Sequence, residues 1–320
     1  MSPSISDPTG GLSTHDAALD ARNETIKIWI NGDLVPRPEA KVSVYDSGFL
    51  LGDGMWEGLR LHGGVWPFLD AHLDRLFDSC KAIKLAIGMT QAEVRAALDA
   101  TAAANGMTDD AHARLMVTRG PKRRPFQHPQ LSQSGPTVVI IAEHSRPAEG
   151  LQSQGIRLAT VPQVRGLPHA QDPKFNSHSK LNCVLACLQA EAAGADEGLM
   201  LDPHGFVNTT NACNFFIVRR GEVWTSTGDY CMNGITRRKV LELCRSHGIP
   251  AFEKNYSLQE ALSADEAFLT GTFGAQTPVH SIDGIVLGNG APGAGPMTKR
   301  IQALYRALIE EEVARQKAQH

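Results

Sequence analysis

Residues 144–155, HSRPAEGLQSQG, carry proline, glycine, serine and charge without any apolar period. They divide the 320-residue chain into two stretches, each of which mixes strands with helices. That division points to an α+β protein of two domains joined by a linker. The boundaries follow from it: a disordered N-terminal lead over 1–24, a smaller domain over 25–143, the linker over 144–154 and a larger domain over 155–320.

In the first stretch TIKIWI (25–30) alternates apolar and polar residues and runs into Asn31-Gly32-Asp33, a hairpin signal. KVSVYD (41–46) alternates again, and MWEGLRLHGGVWPF (55–68) reads as two strands joined at Gly63-Gly64. Leu69, Leu73, Leu76, Phe77, Cys80 and Ile83 recur at helical spacing. Thr90 with Glu93 predicts a capping box ahead of a second, alanine-rich helix. ARLMVT (113–118) and TVVIIA (137–142) are strands around a basic loop, RGPKRRPFQHPQ (119–130).

The second stretch predicts a strand over 155–161 and a helix over 179–194. A meander follows through 198–226 with a hairpin at Arg220-Gly221, then helices opening at Thr236 and near Ser257. A strand over 265–272 and a terminal amphipathic helix over 297–316 complete the pattern.

Composition excludes several classes. Lysine plus arginine number 31 against 34 aspartate plus glutamate, so a formal charge of −3 gives no positive field to gather nucleic acid. Aromatics at 6% argue against a base-stacking platform. No apolar run approaches the roughly 18 residues of a membrane span. The polar N-terminus lacks the apolar core of a secretory signal. Six cysteines with no CxxC pair fit neither a disulfide scaffold nor a zinc ribbon, so reduced cytoplasmic thiols and no metal are expected.

Four local features can carry chemistry. Asn233-Gly234-Ile235-Thr236 turns into a helix, where free amides and the helix dipole make an anion site. Gly271-Thr272 ends a strand with small, hydroxyl-bearing residues. Arg75 lies on the helix after Trp66-Pro67-Phe68. Lys174 and Lys180 flank a strand-to-helix junction, where the dipole does not favour a cation.

In this order the features resemble a known family. VYDSGFLLGDGMWEGLRLHGGVWPFLDAHLDRL (44–76), DEGLMLDPHGFVN (196–208), NGITRRKV (233–240), DEAFLTGTFGAQTPVHSIDG (265–284) and GPMTKRI (295–301) are similar to class IV aminotransferases, the fold-type IV pyridoxal 5'-phosphate enzymes. The resemblance covers about residues 26–310. It implies a D-amino-acid-aminotransferase-like fold of two α+β domains with the cofactor in the cleft between them, in a homodimer. It also assigns the cofactor's phosphate to Arg75, to the amides around Ile235 and Thr236, and to Thr272.

Two positions depart from the pattern. Aligned without gaps through Asn182 and Leu185-Ala186, Asn176 stands where relatives carry the Schiff-base lysine, and an amide cannot form an imine. Lys174, two residues earlier, and Lys180, four residues later, are the candidate replacements; the resemblance to (R)-amine transaminases, where the later offset carries a substrate-pocket aromatic, favours Lys180 and leaves Asn176 to hydrogen-bond the cofactor or substrate. The second departure is Thr209, which takes the place of the glutamate that pairs with the pyridine nitrogen. Threonine can hydrogen-bond a neutral ring nitrogen but cannot stabilise a charged one, so the ring is a poorer electron sink.

The basic loop resembles that of D-amino-acid and (R)-amine enzymes, with Arg123, Arg124 and His128 placed to bind a substrate carboxylate. Phe49, Met55 and Trp56 match positions on the substrate side. The expectation is a transaminase acting between a D-amino acid or (R)-amine and a 2-oxo acid. An aminodeoxychorismate-type lyase and a catalytically silent cofactor-binding homologue stand as alternatives. Neither nucleic acid nor membrane is an expected partner.

Overall fold

A computed structural model describes residues 14, 17–148 and 150–318. The expected lead over 1–24 lies mostly outside the described residues. Where it is described it is structured: a short 3-10 helix, Ala21–Thr25, is capped by the Asp20 carboxylate, and Asn23 brackets the backbone of His144 from both sides. A paired, capped turn is not disordered chain.

The chain forms two compact units. The first comprises residues 17–146, 175–180 and 306–320; the second comprises 1–16, 147–174 and 181–305. The boundary expected within 144–154 is narrower than that stretch. His144 is the last residue of a strand, and residues 150–154 form a helix with Leu151 fully buried in the second unit's core. Residues 175–180 and 306–320, expected in the larger domain, belong with the first unit.

The first unit holds β1 (Lys27–Ile30), β2 (Asp33–Pro36), α1 (Ser47–Leu51), β3 (Gly54–Leu61), α2 (Leu69–Ala82), α3 (Gln91–Ala104), β4 (Ala111–Thr118) and β5 (Thr137–His144). Its sheet is antiparallel throughout, in the order β2-β1-β5-β4-β3. Asn31 (φ 49°) and Gly32 (φ 110°) form the hairpin turn, where positive φ is what these two residue types supply. Alternate residues of β3 and β4, such as Leu59, Leu61, Ala113, Leu115 and Val117, pack with α2 and α3 residues such as Leu73, Leu76, Val94 and Leu98 in one core. Trp56, Gly58, His112, Arg114 and Met116 have the opposite parity, so their side chains project from the other face.

Two sequence readings fail here. Residues 41–46 alternate but form no strand, and Val42, Val44 and Tyr45 stand exposed. The second strand expected within 55–68 is only a His62–Val65 bridge, because the chain turns at once into α2.

The second unit holds α4 (Gly150–Gln154), β6 (Ile156–Thr160), α5 (Pro168–Gln171), α6 (Leu181–Ala192), β7 (Glu197–Leu201), β8 (Val207–Thr210), β9 (Asn214–Arg219), β10 (Glu222–Thr225), α7 (Ile235–Ser246), β11 (Ala251–Glu253), α8 (Leu258–Leu262), β12 (Glu266–Gly271), β13 (Ala275–Ile282) and β14 (Ile285–Val286). A last helix, α9 (Pro296–Lys317), gives residues to both units. The strand order is β11-β10-β9-β12-β13-β6-β7-β8, and a single pair, Thr209 with Asn214, joins β8 back to β9 and closes six strands into a ring. Phe215, Ile217 and Leu269 fill one face of β9 and β12; Phe216 and Phe268, stacked with centroids 5.0 Å apart, pack on the other with Val240 and Leu241 of α7. That second face positions the candidate site. Among the described residues no helix is long and apolar enough to cross a membrane.

Candidate functional site

The second unit has a corner where the uncapped start of a helix gathers free backbone amides. α7 begins at Gly234 with no side chain capping it, so its first amides point outward with the positive end of a twelve-residue helix. Asn214 holds the turn before it, donating from Nδ2 to the carbonyl of Met232 at 2.9 Å. Its Oδ1 lies where a Cβ on Gly234 would go. Asn214 also pairs with Thr270 of β12, which leads directly to Gly271 and Thr272. A Cβ on Gly271 would meet Cys213 Sγ at 3.1 Å, so both glycines let backbone approach the Cys213–Asn214 segment. Ile235 and Thr236 are buried at the start of α7, and the Thr236 hydroxyl is taken by Tyr305, which leaves its amide for a ligand. Thr272 is half-buried in the turn after β12. The buried Thr270 hydroxyl has no hydrogen-bond partner among the described residues.

Thr209 lies on the same face, since it pairs with both Asn214 and Met200. Its hydroxyl donates to the carbonyl of Cys213. Beside it Arg165 donates from Nη2 to the Thr210 carbonyl at 2.6 Å and from Nη1 to Cys183 Sγ of α6 at 3.6 Å. No carboxylate lies within ion-pair distance of Arg165 among the described residues, and its buried Nε has no partner.

In the first unit Arg75 meets a buried acid. Its Nε and Nη2 donate to the two oxygens of Glu57 at 2.8 and 2.6 Å, and His72 Nδ1 lies 2.8 Å from Glu57 Oε2. Burial raises the Glu57 carboxyl pKa, but the Arg75 charge and the His72 and Arg75 hydrogen bonds outweigh it, so the group titrates below its ordinary value. The bidentate contact fixes the plane of the guanidinium.

The remaining lysine-bearing segment, residues 175–180, lies along β3. Asn176 donates from Nδ2 to the Trp56 carbonyl at 2.7 Å and accepts the Trp56 amide on its own carbonyl at 2.9 Å. Asn176 therefore closes the edge of β3, with one of its two Nδ2 hydrogens given to the Trp56 carbonyl. His178 Nε2 donates to the Met55 carbonyl at 3.2 Å. Burial pushes the His178 imidazole below its ordinary pKa, with the Arg114 and Lys180 charges adding to the effect and the Met55 bond opposing it. Lys180 directly precedes α6, with Nζ 5.8 Å from the centroid of the Trp56 ring. Arg114 stacks over the same ring at 4.0 Å, with no carboxylate within ion-pair distance among the described residues. Lys174 is an exposed turn residue of the second unit, its amide donating to Asp172.

The other substrate residues spread apart. Met55 is buried in the core. Phe49 is 72% exposed on α1, at the rim of a cavity of about 360 Å³ walled by Ile28, Ile30, Met116, Val139 and His178. Arg123, Arg124 and His128 are exposed; the buried member of that loop is Lys122, which donates to the His128 carbonyl at 3.2 Å. Arg114, Glu57 and Arg165 are the residues that sequence reasoning missed. Strand parity in AHARLMVT would have marked Arg114 as pointing away from the core.

The family described as amino-transferase class IV matches residues 54–282. A branched-chain-amino-acid aminotransferase-like protein 2 of Arabidopsis thaliana is 40% identical over 288 residues, covering 90% of this chain and 51% of its own. The chain thus spans about half the length of that relative. A D-alanine aminotransferase of Bacillus licheniformis is 32% identical over 291 residues, covering 91% of this chain and 99% of its own. The crystal structure of the branched-chain aminotransferase of Thermoproteus uzoniensis with norvaline superimposes with a TM-score of 0.79 at 32% identity, covering 90% of this chain and 96% of that one.

Proposed function

The chain belongs to the class IV aminotransferases, and from that membership we propose that it moves an amino group between an amino acid and a 2-oxo acid with pyridoxal 5'-phosphate as cofactor. The observation that carries the reading is the uncapped start of α7 beside Gly271 and Thr272. Backbone amides and a hydroxyl are donors a phosphate dianion requires, and Ile235, Thr236 and Thr272 supply them; the family resemblance assigns the guanidinium to Arg75. When bound, the cofactor supplies the aldehyde that receives the amino group from the donor and hands it to the acceptor. Lys180 is the amine that attaches the cofactor and moves the proton at the donor's α-carbon. Thr209 takes the place beside the ring nitrogen. Arg114, stacked on Trp56, anchors the donor's carboxylate in place of Arg123 and Arg124, which favours an amino acid over a simple amine.

The apolar stripe of Leu181, Val184, Leu185 and Leu188 on α6, all exposed, supports assembly as a homodimer, and six unpaired cysteines suit a cytoplasmic setting.

Arg75→Ala is expected to weaken cofactor binding about ten- to a hundredfold, the roughly 1.5–3 kcal/mol of a charge-assisted contact. Equilibrium dialysis measures it, with Arg75→Lys as the variant that retains part of the affinity. The function itself is tested with D-alanine, L-leucine and (R)-1-phenylethylamine, each with 2-oxoglutarate, by following glutamate formation. Turnover of an amino acid but not the amine is the expected result, and which amino acid reacts gives the handedness. A protein that takes up no cofactor and forms no glutamate overturns the reading.

A further inference from the structure

We propose that Thr14 is a positioning residue of the cofactor site: it ties β7 to Cys213 and to the turn that carries Thr272, and so holds the cofactor's contacts in place. The inference rests on the cofactor assignment above. Thr14 belongs to the second unit and is 2% exposed, although 183 residues separate it from its main partner, Glu197. Its amide donates to Glu197 Oε1 at 3.3 Å, and its hydroxyl donates to the same oxygen. Glu197 is buried on the core-facing side of β7 with Leu199, and its Oε2 has no partner among the described residues. Among the described residues, Thr14 supplies the hydrogen bonds this carboxylate receives. A buried carboxylate stripped of its donors is costly, so the interior of the second unit draws Thr14 into place.

From that position Thr14 reaches the site. The Cys213 thiol donates to the Thr14 hydroxyl oxygen at 3.6 Å. Burial raises the pKa of that thiol, the Glu197 charge adds to the rise and the Thr14 bond opposes it, so the sulfur keeps the proton it donates. Cys213 in turn ties its neighbours. Its carbonyl accepts the hydroxyls of Thr209 and Thr210, and its amide donates to Thr210 Oγ1 at 2.9 Å. It directly precedes Asn214, which holds the turn before α7. On the other side the Thr14 carbonyl lies 3.8 Å from where a Cβ on Gly274 would stand, so the turn after Thr272 passes beside it. Thr209 and the start of α7, through Cys213 and Asn214, and Thr272, through Gly274, are thus linked to Thr14. Such coupling is reciprocal: if docked Thr14 favours the cofactor, bound cofactor favours docked Thr14 by the same factor.

The test uses the whole chain and reads two quantities: pyridoxal 5'-phosphate affinity by equilibrium dialysis, and hydrogen exchange of the Thr14 amide by NMR. Thr14→Val, which keeps the shape and loses the hydroxyl, is expected to weaken cofactor binding about fivefold or more, the low end of coupling between two sites. Thr14→Asp sets a second carboxylate against Glu197 and is expected to weaken it at least as much, whereas Thr14→Ser keeps the original affinity. In the unaltered protein, saturating cofactor is expected to slow exchange of the Thr14 amide by a similar factor. A contact that served stability alone would weaken the free and loaded protein equally and move neither quantity. Unchanged affinity in the Val and Asp variants, or Thr14 exchange indifferent to the cofactor, overturns the proposal. A protein that takes up no cofactor at all overturns the function proposed above, and this inference falls with it.

Discussion

Lys180→Ala is expected to lower kcat for amino transfer by about 10⁴-fold or more, the order lost when a nucleophile is removed from an active site. The variant should still fold and still bind the cofactor by its phosphate, because Arg75 and the start of α7 are untouched. Lys174→Ala is expected to stay within about twofold, as an exposed turn residue should. Borohydride reduction of the loaded protein, followed by peptide mass mapping, places the cofactor on the peptide containing Lys180. An adduct on Lys174 would sink the assignment. Asn176→Lys in the Lys180→Ala background is not expected to restore activity, because Asn176 is 4% exposed and its side chain is bonded to the Trp56 carbonyl.

The second large effect is on stability. Glu57→Gln is expected to cost about 3 kcal/mol, the low end for breaking a buried ion pair, because Arg75 keeps 18% exposure and can rehydrate. Hydrogen exchange in β3 and α2 under increasing urea measures it in the unit concerned. The pH dependence has a definite sign. The folded Glu57 carboxyl titrates below its unfolded value of about 4.3, so its stabilisation is complete above that pH and is lost as pH falls further. The gap between the original protein and the variant should therefore close on acidification. A gap that persists far below pH 4 would mean Glu57 contributes by packing and not by charge.

Local signals in the sequence were reliable where the physics is local. The Thr90–Glu93 capping box, the Asn31-Gly32 turn and the Arg220-Gly221 hairpin each depend on a few neighbouring residues, and each is present. The uncapped glycine before α7 was legible for the same reason. Alternation misled at 41–46, since a period of two only offers a face and a strand needs a partner to pair with. Glu57 carried a readable signal: an acid at core parity between Met55 and Leu59 demands a buried cation. Which cation could not be read, because Arg75 is brought to it by the packing of α2. Arg165 had no local signal. Its neighbours Thr210 and Cys183 are 45 and 18 residues away in sequence.

The route of the chain has a consequence for inheritance. The first unit is assembled from three separate segments, one of them only the six residues 175–180. That short segment seals the edge of β3 at Trp56 through the backbone and side chain of Asn176. A gene fragment ending at residue 146 would encode the sheet but not its seal, leaving the Trp56 amide and carbonyl exposed on an open strand edge. Neither unit can be acquired or exchanged by a single crossover. Recombination between relatives has to carry both units together or rebuild five joints at once, and substitutions that change one unit's chemistry are inherited linked to the other's.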